Sequence, residues 1–368
     1  MQYLAFNPVL PYGENPEPVV YENGKPVLRL YEKGAQRVTL TVAEKEYPFA
    51  KSSEQEDVFT LQLPFATGIN YVQIAVDGRE VLTPLLPIGY GYSRPYNYIE
   101  LRTPDDDWYQ LRDVPHGCVH VEHFFSKVTG EWERCTIYTP PSFDEHLEKT
   151  YPVLYLQHGH GENETGWIAT GRANLILDNL IAAGKAVPFV MVMNNGMVQK
   201  KNDAAPCGHV VDHLLFEPML LQDVIPFVES KYHCGGKKAL RGMAGLSMGS
   251  VQTSMLVCRH PEMFSEAGIF SGFLRDLISG SALDGMARRA SANQHLEALR
   301  GGPEFRKQFH TFFRAIGDHD HLLAHFLEDD ELLKEDHFEA ERKIYPGIHD
   351  WNVWRMCLRD FAQMIFKD

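Results

Sequence analysis

Gly245-Leu246-Ser247-Met248-Gly249 fits the pattern G-x-S-x-G. It closes a strand-like stretch, ALRGMAGL, and opens a helix-like one, SVQTSMLVCRHPEMF. A nucleophile elbow needs that context: a tight turn whose small flanking residues leave the serine hydroxyl free above a sheet. The N–H of Met248 would then face a developing oxyanion. A serine hydroxyl is a weak nucleophile and needs a general base, itself oriented by a carboxylate. In this architecture the three follow in the order serine, acid, histidine. His349, in YPGIHDWNVW just after the last strand-like run, is placed to be the base. His319, His321 and His325 crowd the expected acid, and His337 lies in a charged, helix-like run. The acid falls in AIGDHDHLL, with Asp320 preferred and Asp318 as the alternative.

The second oxyanion donor is expected from a loop after an early strand. QHGHGENETGW, from Gln157 to Trp167, has glycines at 159 and 161 that let backbone approach a substrate. A main-chain N–H of His160 or Gly161 would complete the hole. Gly161, Trp351 and Trp354 are candidates for the pocket wall. The histidines also permit a metal reading: His158-x-His160, and His319-Asp320-His321 with His325 beyond. The first pair lacks the later Asp-His of a binuclear site, so the sequence favours no metal and no organic cofactor.

Two kinds of element must carry these residues. Residues 27–32, 37–42, 58–64 and 71–78 alternate apolar and polar positions between turn clusters, the mark of a small β-sandwich. From residue 118 onward a hairpin-like pair is followed by strands alternating with helical stretches, which implies a mostly parallel sheet covered on both faces. The expected division is a sandwich over 1–100, a linker over 101–112 and an α/β unit over 113–368. Between them, GYGYSRPYNY carries Tyr90, Tyr92, Tyr96 and Tyr98. It reads as a linker segment that packs between domains, and alternatively as an aromatic surface for sugar rings. Two long insertions, 197–213 and 273–309, are expected to roof the pocket.

Thirty-five basic and 49 acidic residues leave a net charge of −14 in 368 residues. Such a surface repels phosphate backbones and anionic membranes, so neither nucleic acid nor membrane is an expected partner. Six cysteines with no C-x-x-C pair signal neither a zinc ribbon nor a thioredoxin-type site. The N-terminal residues lack a basic region followed by an apolar core, and no apolar run reaches about 18 residues, so the expected location is cytoplasmic. Composition leaves the oligomeric state open, a homodimer included.

With these residues in hand, the chain resembles the putative-esterase (esterase D-like) branch of the α/β-hydrolases, and within it carbohydrate esterase family 1. The stretches that carry the likeness are VPHGCV, FFSKVTGEWERCTIYTPPSF, YPVLYLQHGHGENETGW, GRANLILDNLIAAGKAVPFVMVMNNG, AGLSMGS and GIHDWNVW. The resemblance implies an α/β-hydrolase fold, here preceded by an immunoglobulin-like domain akin to a glycogen-binding module. It carries the triad onto Ser247, Asp320 and His349, and the oxyanion donors onto His160 and Met248. Two departures stand out: Ser250 where the elbow usually continues with glycine, and HGHG where the oxyanion loop usually reads HGGG. The implied activity is feruloyl ester hydrolysis on plant-cell-wall sugar esters in the context of xylan degradation. Acetyl xylan esterase, enterochelin-type siderophore esterase, acyltransferase and non-catalytic glycan binding are the alternatives. The expected partner is a small-molecule or oligosaccharide ester, and the N-terminal domain either binds glycan or, as preferred, serves structure.

Overall fold

The computed structural model describes residues 17–145, 148–272, 274 and 301–367. The chain divides into two units, Met1–Asp107 and Trp108–Asp368, each with a core of its own.

The first unit is all β. Its strands are β1 (Val19–Glu22), β2 (Lys25–Tyr31), β3 (Val38–Val42), β4 (Lys45–Pro48), β5 (Ala50–Lys51), β6 (Val58–Gln62), β7 (Gly68–Val76), β8 (Arg79–Val81), β9 (Ile88–Gly91) and β10 (Arg94–Leu101). One sheet runs β1-β2-β6-β5 and the other β4-β3-β7-β10-β9, with β8 added to β7. Their inward alternating residues, among them Leu28, Leu30, Leu40, Phe59, Val72, Ile74 and Ile99, close the core. The tyrosine-rich segment differs from the expectation. It is no interdomain linker but a hairpin of this sandwich, in which β10 pairs with both β9 and β7. Tyr92 and Ser93 form its two-residue turn with φ of 51° and 62°, the positive values that let a tight turn match strand twist. Tyr98, within β10, is buried, and Tyr92, in the turn, is exposed. β10 ends at Leu101, a 3₁₀ turn spans Pro104–Tyr109, and Trp108 already belongs to the second unit, where Asn179 donates to its carbonyl at 3.1 Å.

The second unit holds an eight-stranded sheet of β11 (Cys118–Phe125), β12 (Trp132–Thr139), β13 (Val153–Gln157), β14 (Val190–Asn194), β17 (Arg241–Leu246), β18 (Glu266–Phe270), β19 (Thr311–Gly317) and β20 (Glu341–Tyr345). A small hairpin, β15 (Gln199–Lys201) and β16 (His209–Val211), lies in the first insertion. The sheet order is β11-β12-β14-β13-β17-β18-β19-β20. β11 and β12 are antiparallel, and every pairing from β14 to β20 is parallel. Central strands are buried along their length, apart from Arg241 at the start of β17, as strands covered on both faces must be. The main helices are α1 (Ala173–Ala182), α2 (Ile225–Tyr232), α3 (Met248–Arg259), α4 (Leu323–Glu335) and α5 (Trp351–Ala362). Ser247, His160, Asp320 and His349 follow the parallel strands β17, β13, β19 and β20, while Met248 opens α3 and Trp351 and Trp354 lie on α5. Of the second insertion, residues 273 and 275–300 lie outside the described residues, and so does the roof expected of them. Among the described residues, no helix is long and apolar enough to cross a membrane.

Candidate active site

Ser247 stands between β17 and α3 with φ 51° and ψ −117°, a conformation that costs a non-glycine residue about 1–3 kcal/mol. The glycines around it explain how the turn closes. A Cβ on Gly245 would sit 2.4 Å from the Gly249 carbonyl oxygen, and one on Gly249 would sit 2.6 Å from the His158 carbonyl oxygen. The unusual Ser250 also finds its place. Its hydroxyl donates to the Ser247 carbonyl at 2.6 Å and fills space left by Gly272, whose own Cβ would lie 1.6 Å from that oxygen.

His349 Nε2 lies 2.9 Å from Ser247 Oγ, and its Nδ1 lies 2.8 and 3.0 Å from the two oxygens of Asp320. The acceptor-only carboxylate fixes the tautomer: Nδ1–H donates to Asp320, leaving Nε2 to accept from the serine. Asp320 is buried, and Leu322 N–H donates to it at 2.9 Å. Burial works against its ionisation, but the hydrogen bond and charge of His349, with the Leu322 N–H, more than offset this and hold the carboxyl below its ordinary value. Asp318 is engaged elsewhere, accepting from Gly347 N–H at 2.9 Å and pairing with His319 at 2.7 Å.

The loop after β13 holds both candidate oxyanion donors, His160 and Gly161. Gly161 is buried at φ +78°, and its N–H donates to Met197 Sδ at 3.0 Å. Among the described residues, the His160 N–H has no such acceptor. Met248 is the first residue of α3, where a helix N–H has no intrahelical acceptor and the helix dipole favours negative charge.

The two tryptophans named as pocket candidates are both buried. Trp351 is 2% and Trp354 7% exposed, because i and i+3 on amphipathic α5 both face inward. Trp351 packs edge-on against Trp167 at 5.2 Å, and Trp354 backs the His349 ring at 5.2 Å. Three supporting residues were not singled out in sequence for these roles. His321 sets its ring 4.5 Å from His349; burial, then the nearby His349, lowers its imidazole below the usual value. His158 and Glu162 are buried members of the loop after β13, and burial pushes the Glu162 carboxyl up to about 7. The HGHGE run was a signal for both, read only as loop or ligand.

Among the described residues, Asp320, His321 and His349 have donor atoms within 4.8 Å of one another. Two of the three already bond to each other, and both nitrogens of His158 are taken by backbone groups. This donor set does not fit a metal as arranged.

The model of the putative esterase family matches residues 126–363. The chain belongs to that family. The chain is 32% identical over 313 residues to an endo-1,4-beta-xylanase/feruloyl esterase of Xylanibacter ruminicola, covering 84% of this chain and 40% of that one. It is 25% identical to endo-1,4-beta-xylanase Y of Acetivibrio thermocellus, over 63% of this chain and 21% of that one. It thus spans less than half the length of these curated relatives. Among solved structures, a ferulic acid esterase is 25% identical with a TM-score of 0.58, covering 68% of this chain and 100% of that one. The enterobactin esterase of Shigella flexneri is 15% identical with a TM-score of 0.62, covering 94% of each. The fold of the second unit is therefore that of the α/β-hydrolases, and an all-β sandwich precedes it in the chain.

Proposed function

We propose that this chain is a serine carboxylic-ester hydrolase of carbohydrate esterase family 1 acting on hydroxycinnamoyl, in particular feruloyl, esters of plant-cell-wall sugars. One observation carries the reading: an unbroken hydrogen-bonded line from buried Asp320 through His349 to the strained Ser247. The relatives named for feruloyl and ferulic acid esterases supply the acyl group.

Ser247 Oγ attacks the ester carbonyl as His349 Nε2 takes its proton. The tetrahedral oxyanion is held by the N–H groups of His160 and Met248. Collapse breaks the bond to the alcohol, which leaves with the proton from His349. Water then attacks the acyl-enzyme, giving its proton to His349, and the acid departs as Ser247 regains a proton. Asp320 stabilises the imidazolium throughout.

The test is a hydrolysis panel of methyl ferulate, acetylated xylo-oligosaccharide and a short p-nitrophenyl ester, beside fluorophosphonate labelling of Ser247. Methyl ferulate is expected to be the best substrate. Preference for the acetylated sugar moves the acyl group, and absence of labelling removes the esterase. A siderophore-type ester has one observation in its favour, the 94% mutual coverage with the enterobactin esterase, and is added to the panel as an aryl-amide triester. Activity is expected to survive EDTA, since no step uses a Lewis acid; loss restored by zinc would overturn this.

A further inference from the structure

The N–H assigned to the oxyanion belongs to the Gly159–His160 peptide, and a glycine-flanked loop does not by itself fix where that N–H points. Two bonds to its carbonyl do. His158 Nδ1 lies 2.8 Å from the Gly159 oxygen, and Glu162 N–H donates to the same oxygen at 3.2 Å. The preceding peptide is held as well, with Gly159 N–H donating to the Glu162 carboxylate at 3.0 Å.

The far side of the His158 ring decides its tautomer. Gly196 N–H donates to His158 Nε2 at 2.8 Å. A backbone N–H can only donate, so Nε2 is the unprotonated nitrogen and Nδ1 carries the hydrogen given to Gly159. Gly196 is itself pinned from α3, where Gln252 Nε2 donates to its carbonyl at 2.8 Å. A protonated ring would set Nε2–H against Gly196 N–H, two donors face to face. Burial also pushes this imidazole below its ordinary value. In a trans peptide, C=O and N–H point in opposite directions. With its carbonyl drawn to the His158 ring, the Gly159–His160 peptide must turn its N–H away from that ring.

We propose that His158 is a positioning residue for ester hydrolysis, aiming the His160 N–H at the oxyanion through the Gly159 carbonyl and tying the oxyanion loop to the loop after β14 through Gly196. The inference rests on the esterase reading of Ser247 and His349. The ring touches no reacting atom. Its effect belongs to the transition state, where the carbonyl oxygen becomes charged, and not to substrate binding.

Two substitutions separate its two bonds. His158→Asn keeps a donor where Nδ1 stands and loses the acceptor for Gly196. His158→Gln reaches the Nε2 position and can accept from Gly196, but has no donor at Nδ1. On methyl ferulate, H158Q is expected to lower kcat by about 100-fold with KM changed less than about threefold. The Ki of phenylboronic acid, whose serine adduct places an oxygen in the hole, should rise in step. H158N is expected to recover at least about tenfold of the kcat lost in H158Q, at a melting temperature no higher. Equal losses in both variants, or a rise in KM with boronate affinity intact, would overturn the proposal. If H158Q does not fold, the wild-type enzyme labelled with ¹⁵N-histidine decides. The Nδ1–H tautomer at His158, with a shift on boronate binding, supports the proposal, and the Nε2–H tautomer sinks it. Ser247→Ala runs beside these. If it keeps wild-type activity on methyl ferulate, the reading of Ser247 as nucleophile fails, whereas the tautomer reports on His158 alone.

Discussion

Asp318 and Asp320 lie on one loop, two residues apart, yet only Asp320 meets the His349 ring, while Gly347 N–H holds Asp318. Asp320→Asn is therefore expected to cut kcat by about 10⁴-fold, because an amide donor facing Nδ1 favours the wrong tautomer. Asp318→Asn should cost less than about tenfold, and the reverse order would move the role to Asp318. Ser247→Ala and His349→Ala should each lower kcat by about 10⁴-fold or more, with the double variant little worse than either. Glu162 makes a separate prediction, read in stability. Its carboxyl rises from the ordinary 4.5 to about 7 in the folded chain, so between these values the folded state holds more protons than the unfolded one. Stability from this group is complete below pH 4.5 and is lost as pH rises towards about 7. Glu162→Gln removes that loss while keeping an acceptor for Gly159. Its melting temperature relative to wild type should climb from pH 5 to pH 8, and a difference independent of pH would contradict the account.

At the scale of elements, the elbow works because β17 and α3 meet across glycines. Sequence marks Gly245 and Gly249 through the motif, but not Gly272 at the end of β18. Gly272→Ala would drive a methyl to 1.6 Å from Ser250 Oγ, and is expected to destabilise the chain by about 1–3 kcal/mol. Ser250→Gly removes the obstacle, so the double variant should regain most of that loss, a coupling that thermal melts of the four proteins measure. Additive losses would show that the two positions do not meet. The same logic accounts for Ser250 as a departure from the family pattern: a hydroxyl is tolerated where a neighbouring strand end supplies a glycine.

For the whole molecule, the two units have separate cores, and Ser247, His349, Asp320 and the oxyanion loop all lie within Trp108–Asp368. One ground for expecting the first unit to serve structure was the tyrosine segment as packed linker, and that segment is a hairpin of the sandwich. We therefore predict that residues 108–368 alone keep the wild-type kcat on methyl ferulate within about threefold. Loss of folding or of activity on the small ester would return the first unit to a structural role.

Much was legible before any coordinates. Alternating runs marked the strands of the first unit and apolar runs those of the second, since a half-buried strand must alternate and a strand buried on both faces must be apolar throughout. Glycine spacing between a strand and a helix placed Ser247 on its turn, because that chemistry is local. What sequence left open depends on groups far apart in the chain. Ser247 and His349 are 102 residues apart and His349 and Asp320 are 29 apart, so the register of β19 against β20 decides which aspartate is in reach. Met197 taking the Gly161 N–H, and Gly196 setting the His158 tautomer, likewise join separate loops. Trp351 and Trp354 sit in the interior because α5 turns its apolar face to the sheet, a direction that only the packed helix fixes. Local pattern determined the elements and the candidate nucleophile; close packing between distant segments decided which donors, acceptors and tautomers face one another.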